Sequence, residues 1–350
     1  MRKSILLPCL LALLVFSAYA SPTKADDSAL FKIYGSTPVV NHGASGTWNF
    51  TYTDPGAIVF HDGLFHMFYN GFNGWPAPVQ IGYATSPDGY TWTKQGDVPV
   101  LETKQVSYAK VAALASSVIV DKDGTWVMYF YTYEGYLSPG SPGRIGRATA
   151  AKPTGPWTVD STPVLEPGGA GTWDEQRVDV PSVIRTDTGY VMYYGGSDAK
   201  NNLMIGMATS TDGINWTKYK DTSPASDTRF AESTPILRAG EKGSWDANLV
   251  HQPRVVLTPD GWVMLYRTVK FGTPSTIALG YATSTDGKSW TKATGNPILK
   301  ASEILSKRGF WFTGLAYNAG KYYLYVEAPP LTEPSHTAVF VAIHDGPLPK

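Results

Sequence analysis

Three stretches of the chain repeat almost letter for letter: ATSPDGYTWTK at Ala84–Lys94, ATSTDGINWTK at Ala208–Lys218 and ATSTDGKSWTK at Ala282–Lys292. A motif recurring on this scale marks one small unit used several times, which cannot bury its apolar face alone and must stack on its neighbours. Function in such an array sits where the units meet. Upstream of each copy stand alternating apolar runs such as Tyr190-Val191-Met192-Tyr193-Tyr194, separated by Gly-bearing turns. Period-two alternation with Asp-Gly turns predicts four antiparallel strands per unit. Four strands repeated radially form a propeller blade.

Units start near Asp54, Ser116, Pro181 and Pro253, and the second has a divergent outer turn, ATAAKPTGPWTVD at Ala148–Asp160. A fifth begins near Thr313, ends at Phe340-Val341-Ala342-Ile343 and has no outer Asp-Gly-x-x-Trp strand after it. The missing strand appears at the other end. Phe31–Val40 followed by GASGTW matches Trp157–Leu165 followed by GGAGTW, and the Pro-to-Trp spacing is ten residues at Pro38–Trp48, Pro163–Trp173 and Pro235–Trp245. The expected fold is therefore an all-β, five-bladed β-propeller, its ring closed by an N-terminal strand that joins the last blade and leaves no raw sheet edge.

Arg2 and Lys3, the apolar run Ile5–Phe16 and Ala18-Tyr19-Ala20 describe a secretory signal peptide over residues 1–20. The apolar run is short for a membrane span. Cys9, the chain's one cysteine, lies inside it, so residues 21–350 are expected to form a single domain held by packing without disulfides. The expected product is secreted, extracellular or periplasmic, free of the membrane after cleavage, and monomeric. Acidic and basic residues balance at 29 each, which argues against a nucleic-acid partner. Aromatic residues make up 13% of the chain. Most suit a β-sheet core; others could stack on sugar rings.

The Asp-Gly turns at Asp88, Asp212 and Asp286 are read as rim turns, because Gly permits a positive φ and Asp bonds its own backbone. Chemistry is expected at the hub. Asp54, Asp179 and His251 lie six residues after Trp48, Trp173 and Trp245, and each runs into a proline, Pro55, Pro181 or Pro253, expected to start an innermost strand. A titratable group costs free energy at a ring interior. Its threefold recurrence there suggests a site, against the plainer reading of strand-start residues that bond free backbone N–H groups.

The Asp-Pro-Gly at Asp54, the WDE-x-x-x-D-x-P-S-V-I at Trp173–Ile184 and the repeated ATS-DG-x-x-WTK resemble the five-bladed glycoside hydrolases of families 43, 32, 62, 117 and 130. The resemblance implies a carbohydrate substrate and acid/base catalysis in the central funnel. It implies a first carboxylate at Asp54, as base or nucleophile, and a second at Asp179, which tunes proton affinity or holds the sugar. His251 stands where the family's acidic Glu is expected. The acid is then a protonated His251, as family 117 allows, or Asp179, or a loop Glu: Glu175, Glu232 or Glu134.

Further funnel candidates are Arg177, Arg254, Gln252, Asn70, Trp75, Asp198, Arg267 and Lys270, with an aromatic platform around Trp75 and Tyr133–Tyr136. Trp48, Trp173 and Trp245 recur too regularly for sugar contact and are read as packing between blades. The sequence has no zinc-spaced His/Cys cluster, phosphate-binding Gly loop or Gly-x-Ser-x-Gly elbow, and no cofactor is expected. A channel-bound Ca2+, seen in some relatives, has no residue here that argues for it. The function expected is a secreted glycoside hydrolase. Alternatives are a non-catalytic carbohydrate-binding propeller and a glycoside phosphorylase, for which Arg177, Arg254 and Arg267 would supply cations.

Overall fold

Residues 29–74, 78–133, 142–221, 227–270, 272–301 and 310–349 are described by a computed structural model. The leader expected at residues 1–20, Trp75 and Glu134 lie outside the described residues. Strands make up most of the regular structure among the described residues, which also include the single-turn 3-10 helices Thr103–Gln105 and Thr228–Phe230. A short strand β1 (Lys32–Ile33) precedes a first group, β2 (Tyr52–His61), β3 (Leu64–Phe72), β4 (Gln80–Ser86) and β5 (Thr93–Lys94), with β6 (Leu101–Glu102) beside β4. A second group is β7 (Ala112–Val120), β8 (Trp126–Tyr133), β9 (Gly143–Ala150) and β10 (Thr158–Val159). A third is β11 (Arg177–Thr186), β12 (Gly189–Ser197), β13 (Leu203–Ser210) and β14 (Thr217–Lys218). Next come β15 (His251–Thr258), β16 (Gly261–Lys270), β17 (Thr273–Ser284) and β18 (Thr291–Lys292), with β19 (Leu299–Lys300) beside β17. The last group is β20 (Thr313–Asn318), β21 (Lys321–Ala328) and β22 (Ala338–Asp345). Pairing inside each group is antiparallel. β1 pairs with β22, Lys32 opposite Ile343, far from it in sequence.

The second strands are buried on both faces; β8, WVMYFYTY, is buried at every position. Such a strand must be covered from both sides, and neighbouring groups provide the cover. Phe68 packs with Met128 and Phe130, Tyr129 with Met192, Tyr193 with Met264, and Leu265 with Leu324. Phe65 and Met67 pack in turn with Tyr323 and Tyr325, so the last group touches the first. A hydroxyl bond repeats the pattern. Tyr129 donates to the Gly213 carbonyl (2.9 Å), Tyr193 to Gly287 (2.8 Å) and Tyr325 to Gly89 (2.7 Å). These glycines follow the turn aspartates and hold positive φ of 71–85°. Asp88, Asp212 and Asp286 each accept two backbone N–H groups of their own turns at 2.7–3.0 Å, which is structural work. Along the hub β2 contacts β7, β7 contacts β11, β11 contacts β15, β15 contacts β20, and β20 contacts β2.

The repeated tryptophans pack on their own sheets. Trp48 stacks on Tyr69 and Trp173 on Tyr194, with ring centroids 5.8 Å apart in both pairs. Glycine makes the room: a Cβ at Gly196 would lie 2.4 Å from the Trp173 ring. Beside each ring a Lys–Asp–Tyr brace recurs. Buried Asp174 accepts Lys218 Nζ at 2.6 Å and Tyr194 Oη at 3.3 Å, and Asp246 accepts Lys292 Nζ at 2.6 Å and Tyr266 Oη at 3.2 Å. In the first copy Asn49 replaces the aspartate. Lys94 sits over the Tyr69 ring at 5.2 Å, and burial pulls its amine down to about 8. A carboxylate favours the ammonium form. Asn49→Asp is therefore expected to return Lys94 towards the ordinary lysine range, read by NMR titration of the 13C-methylated protein. An unmoved titration would show that the brace does not govern this amine.

Candidate active site

Three bulges aim the hub side chains. Asp54, Asp179 and His251 face Asn70, Gly195 and Arg267 across their ladders, and in each strand the next paired residue is three further on: Ala57, Ser182 and Arg254. Two residues oppose one in each gap, which bends the strand and re-aims the side chain before it. Pro55, Pro181 and Pro253 lie in these gaps, inside β2, β11 and β15. The sequence predicts that they start the strands; they fall instead at the bulge, because proline has no N–H for the ladder. The same register makes Asp54 and Asp179 equivalent, although Val180 separates only the latter from its proline. Val180 and Gln252 adopt left-handed φ of 47° and 56°. Such strain in a β-branched residue persists only where the surroundings enforce it, and it clusters at functional sites.

The three side chains open into one cavity of about 440 Å3, whose polar lining also includes Tyr131, Tyr133, Arg177, Gln252, Arg267 and Glu327. Tyr52, Phe72, Trp311 and Phe312 supply aromatic walls. A wider hollow of about 590 Å3 lies between Asp160–Val164 and Ile214–Thr217, but its one carboxylate, Asp160, is bound by Arg147 at 3.0 Å.

Asp179 is the most fully engaged group. His251 Nε2 lies 2.7 Å from its Oδ1, and Tyr133 Oη donates to its Oδ2 at 3.1 Å. Burial pushes the Asp179 carboxyl up, but His251, Arg177 and the Tyr133 hydroxyl outweigh it and hold it below the usual range. Burial pulls His251 down, aided by Arg267 and Arg177 and opposed by Asp179. The imidazole is then neutral, with its Nε2–H donating to ionised Asp179 and Nδ1 left bare. Acting as an acid would require a proton on Nδ1, which burial near two arginines disfavours. Glycine at position 195 makes the pair possible, since a Cβ there would lie 2.5 Å from His251 Cδ2 and 2.6 Å from Asp179 Oδ1. Gly195→Ala is expected to part the two side chains and lower kcat/KM about tenfold or more, the worth of a charged hydrogen bond. Steady-state kinetics with near-UV circular dichroism checks this, and full activity would show the pair to be dispensable.

The other two carboxyls have the opposite character. Asp54 Oδ1 accepts the Thr337 hydroxyl at 2.7 Å, while Oδ2 is buried without a partner. Burial pushes Asp54 up to about 7, with the Thr337 bond opposing. Glu327, at the end of β21, is pushed well above the carboxylate range by burial and by the nearby Asp54 charge; backbone N–H bonds from Phe312 and Trp311 and the Arg267 charge only partly oppose this. Two interacting carboxyls of this kind share protons unequally, so one serves as acid while the other serves as base. Four buried polar atoms without partners belong to this cavity: Asp54 Oδ2, His251 Nδ1, Gln252 Oε1 and Arg267 Nε. Orphans are rare in folded proteins, and their concentration here marks places a ligand would fill.

Asp54, Asp179, His251, Arg177, Gln252 and Arg267 are thus brought together. Tyr133, expected as part of an aromatic platform, joins them in the lining, and the other candidates among the described residues do not line the cavity. Glu175 accepts the Gly171 and Ala199 N–H groups at 2.6 and 3.2 Å, pinning a loop. Glu232 accepts the Gly169 N–H at 3.0 Å. Asn70 bonds the Ala115 backbone in both directions, and Asp198 holds the turn at Lys200 and Asn202. Lys270 is exposed at the end of β16. Arg254 crosses the hub beneath, donating to Ser116 at 2.7 and 3.0 Å and to the Thr313 carbonyl at 2.7 Å. Glu327 and Tyr131 were missed by the sequence reading. Glu327 had a signal: it is a lone carboxylate ending the apolar run Tyr322–Val326 and followed by Pro329-Pro330.

The family model described as "Glycosyl hydrolases family 32 N-terminal domain" matches residues 48–253, more than half of the chain. The protein belongs to this glycoside hydrolase family. The glycosidase's matched span includes Asp54, Asp179 and His251 but ends before Arg267 and Glu327. No curated protein matches the sequence. Solved structures share the fold. A glycosyl hydrolase from Bacteroides ovatus has a TM-score of 0.66 at 19% identity, over 92% of this chain and 95% of that one. A β-1,2-mannobiose phosphorylase from Listeria innocua has a TM-score of 0.63 at 14% identity, over 90% and 96%. A structure reported with glycoside hydrolases of family 130 that target β-1,2 mannosidic linkages in Candida mannan has a TM-score of 0.67 at 20% identity, over 95% and 97%. All have β-propeller folds.

Proposed function

We propose that the glycosidase is a secreted, five-bladed propeller that cleaves a glycan in its hub cavity, with Asp54 as base or nucleophile and Glu327 as acid. The carrying observation is the pair of buried carboxyls of raised proton affinity, one with a free oxygen, at the wall of one polar cavity. A proton donor must hold its proton near neutral pH and the base must release it. The free Oδ2 of Asp54 suits the acceptor, and Glu327, its proton affinity raised by burial and by the Asp54 charge, suits the donor. Asp179 and His251 form a fixed polar pair that would hold sugar hydroxyls, with His251 Nδ1 and Gln252 Oε1 as acceptors. The aromatic wall fits the apolar faces of a sugar ring.

Five blades and a closed ring are supported by the cyclic contacts along the hub, by β1 on β22, and by the Tyr325–Gly89 bond that repeats the bonds between earlier groups. Export is supported by the basic and apolar pattern of the leader. The testing experiment is a panel of arabinosides, fructans, xylosides, galactosides and mannosides, with products resolved with and without inorganic phosphate. Free sugar released without phosphate supports hydrolysis. Release of sugar 1-phosphate alone would replace it with phosphorolysis, and binding without turnover would replace it with a carbohydrate-binding role.

A further inference from the structure

The Arg267 guanidinium is a buried cation in search of a counter-ion. It is 6% exposed and stacks over Trp311 at 5.2 Å from the ring centroid. Its Nη1 donates to the Trp311 carbonyl, and its Nε has no partner. Among the described residues no carboxylate lies within 4.0 Å of it. Asp179 is taken by His251 and Tyr133, and Glu327 accepts the Phe312 N–H at 3.0 Å while burial favours its protonated form. Burial lowers the Arg267 proton affinity to about 10, against the opposing pull of Tyr131, Glu327 and Asp179. Arg177 in the same lining bonds neutral groups among the described residues, Ser197 Oγ at 3.0 Å and Asn201 Oδ1 at 2.7 Å. Buried cations are normally paired. A guanidinium anchored by one Nη still offers a planar donor edge suited to an oxyanion.

We infer that Arg267 anchors an oxyanion subsite, so that the glycosidase's ligand combines sugar hydroxyls with one carboxylate or phosphate. The hydroxyls answer the three orphan acceptors, Asp54 Oδ2, His251 Nδ1 and Gln252 Oε1, and the oxyanion answers Arg267. The inference deepens the glycosidase reading and rests on it for the identity of the site. The anion has two sources of shared chemistry: a uronic acid carboxylate carried by the substrate, or free inorganic phosphate.

Calorimetry separates these without requiring turnover. The probes are glucuronate, galacturonate and mannuronate, each against its neutral aldose, and inorganic phosphate, with wild-type protein and with Arg267→Gln and Arg267→Lys. A uronate that binds at least about tenfold more tightly than its aldose, with the margin lost in Arg267→Gln and partly kept in Arg267→Lys, places the anion on the substrate. Saturable phosphate binding lost in Arg267→Gln, without a uronate preference, places it in solution. Wild-type protein that prefers no uronate and binds no phosphate overturns the subsite even if both variants misfold. The hydrolase reading then stands or falls separately, on whether neutral glycosides are cleaved.

Discussion

Exchange of Asp54 for Asn is expected to lower glycoside hydrolysis about a thousandfold while the fold stays intact, within the range known for loss of a positioned base. Asn keeps the acceptor for the Thr337 hydroxyl, 2.7 Å away in the wild type, so the side chain remains in place and only the charge is lost. Product release followed over time, with far-UV circular dichroism as the fold control, is the measurement. Near-normal turnover would remove Asp54 from the reaction. The pH profile carries a second signature. Asp54 must be ionised to act, so wild-type kcat/KM should fall as pH drops below about 7, the value to which burial raises this carboxyl.

Stability should move the other way. The folded-state value of Asp54 lies above its unfolded value, so its contribution is fully present below about pH 4 and is lost as pH rises through about 7. Asp54→Asn removes the cost of a buried charge at high pH. Its Tm should exceed that of the wild type at pH 8, with the difference vanishing near pH 4. A site that costs stability in its working protonation state is a common trade between function and folding.

Glu327→Gln should have the next largest effect. Loss of a general acid costs about a hundredfold or more on a glycoside with a poor leaving group, and little on an activated aryl glycoside that needs no proton. Glu327 must be protonated to act, and burial and Asp54 raise its proton affinity. The alkaline limb of the wild-type profile therefore reports its ionisation and should flatten in the variant. Equal losses on both leaving groups would assign Glu327 to binding instead. An unchanged alkaline limb would move the acid role to another group.

Much of the fold could be read from the chain because it is local and repeated. An Asp-Gly turn needs a positive φ and a self-bonded carboxylate wherever it occurs, and Asp88, Asp212 and Asp286 provide both in sequence. The Pro-to-Trp spacing also led from the N-terminal segment to the pairing of β1 with β22. The hub was legible in part. Asp54, Asp179 and His251 share one offset from a repeated tryptophan, so counting found them. Their prolines were misplaced because a bulge is a property of two paired strands, and sequence shows only one.

The sequence by itself determined the repeated strand unit, its turns and three of the titratable groups at the hub, since these follow from short-range periodicity and backbone chemistry. Only the tertiary structure decided which groups share a cavity. It joined Glu327 to Asp54 across most of the chain's length, tied His251 to Asp179 over Gly195, and sent Arg254 into the hub beneath. Proton affinity and partnership depend on burial and on neighbours a few ångströms away. Those neighbours come from different sheets, and no spacing along one strand encodes them.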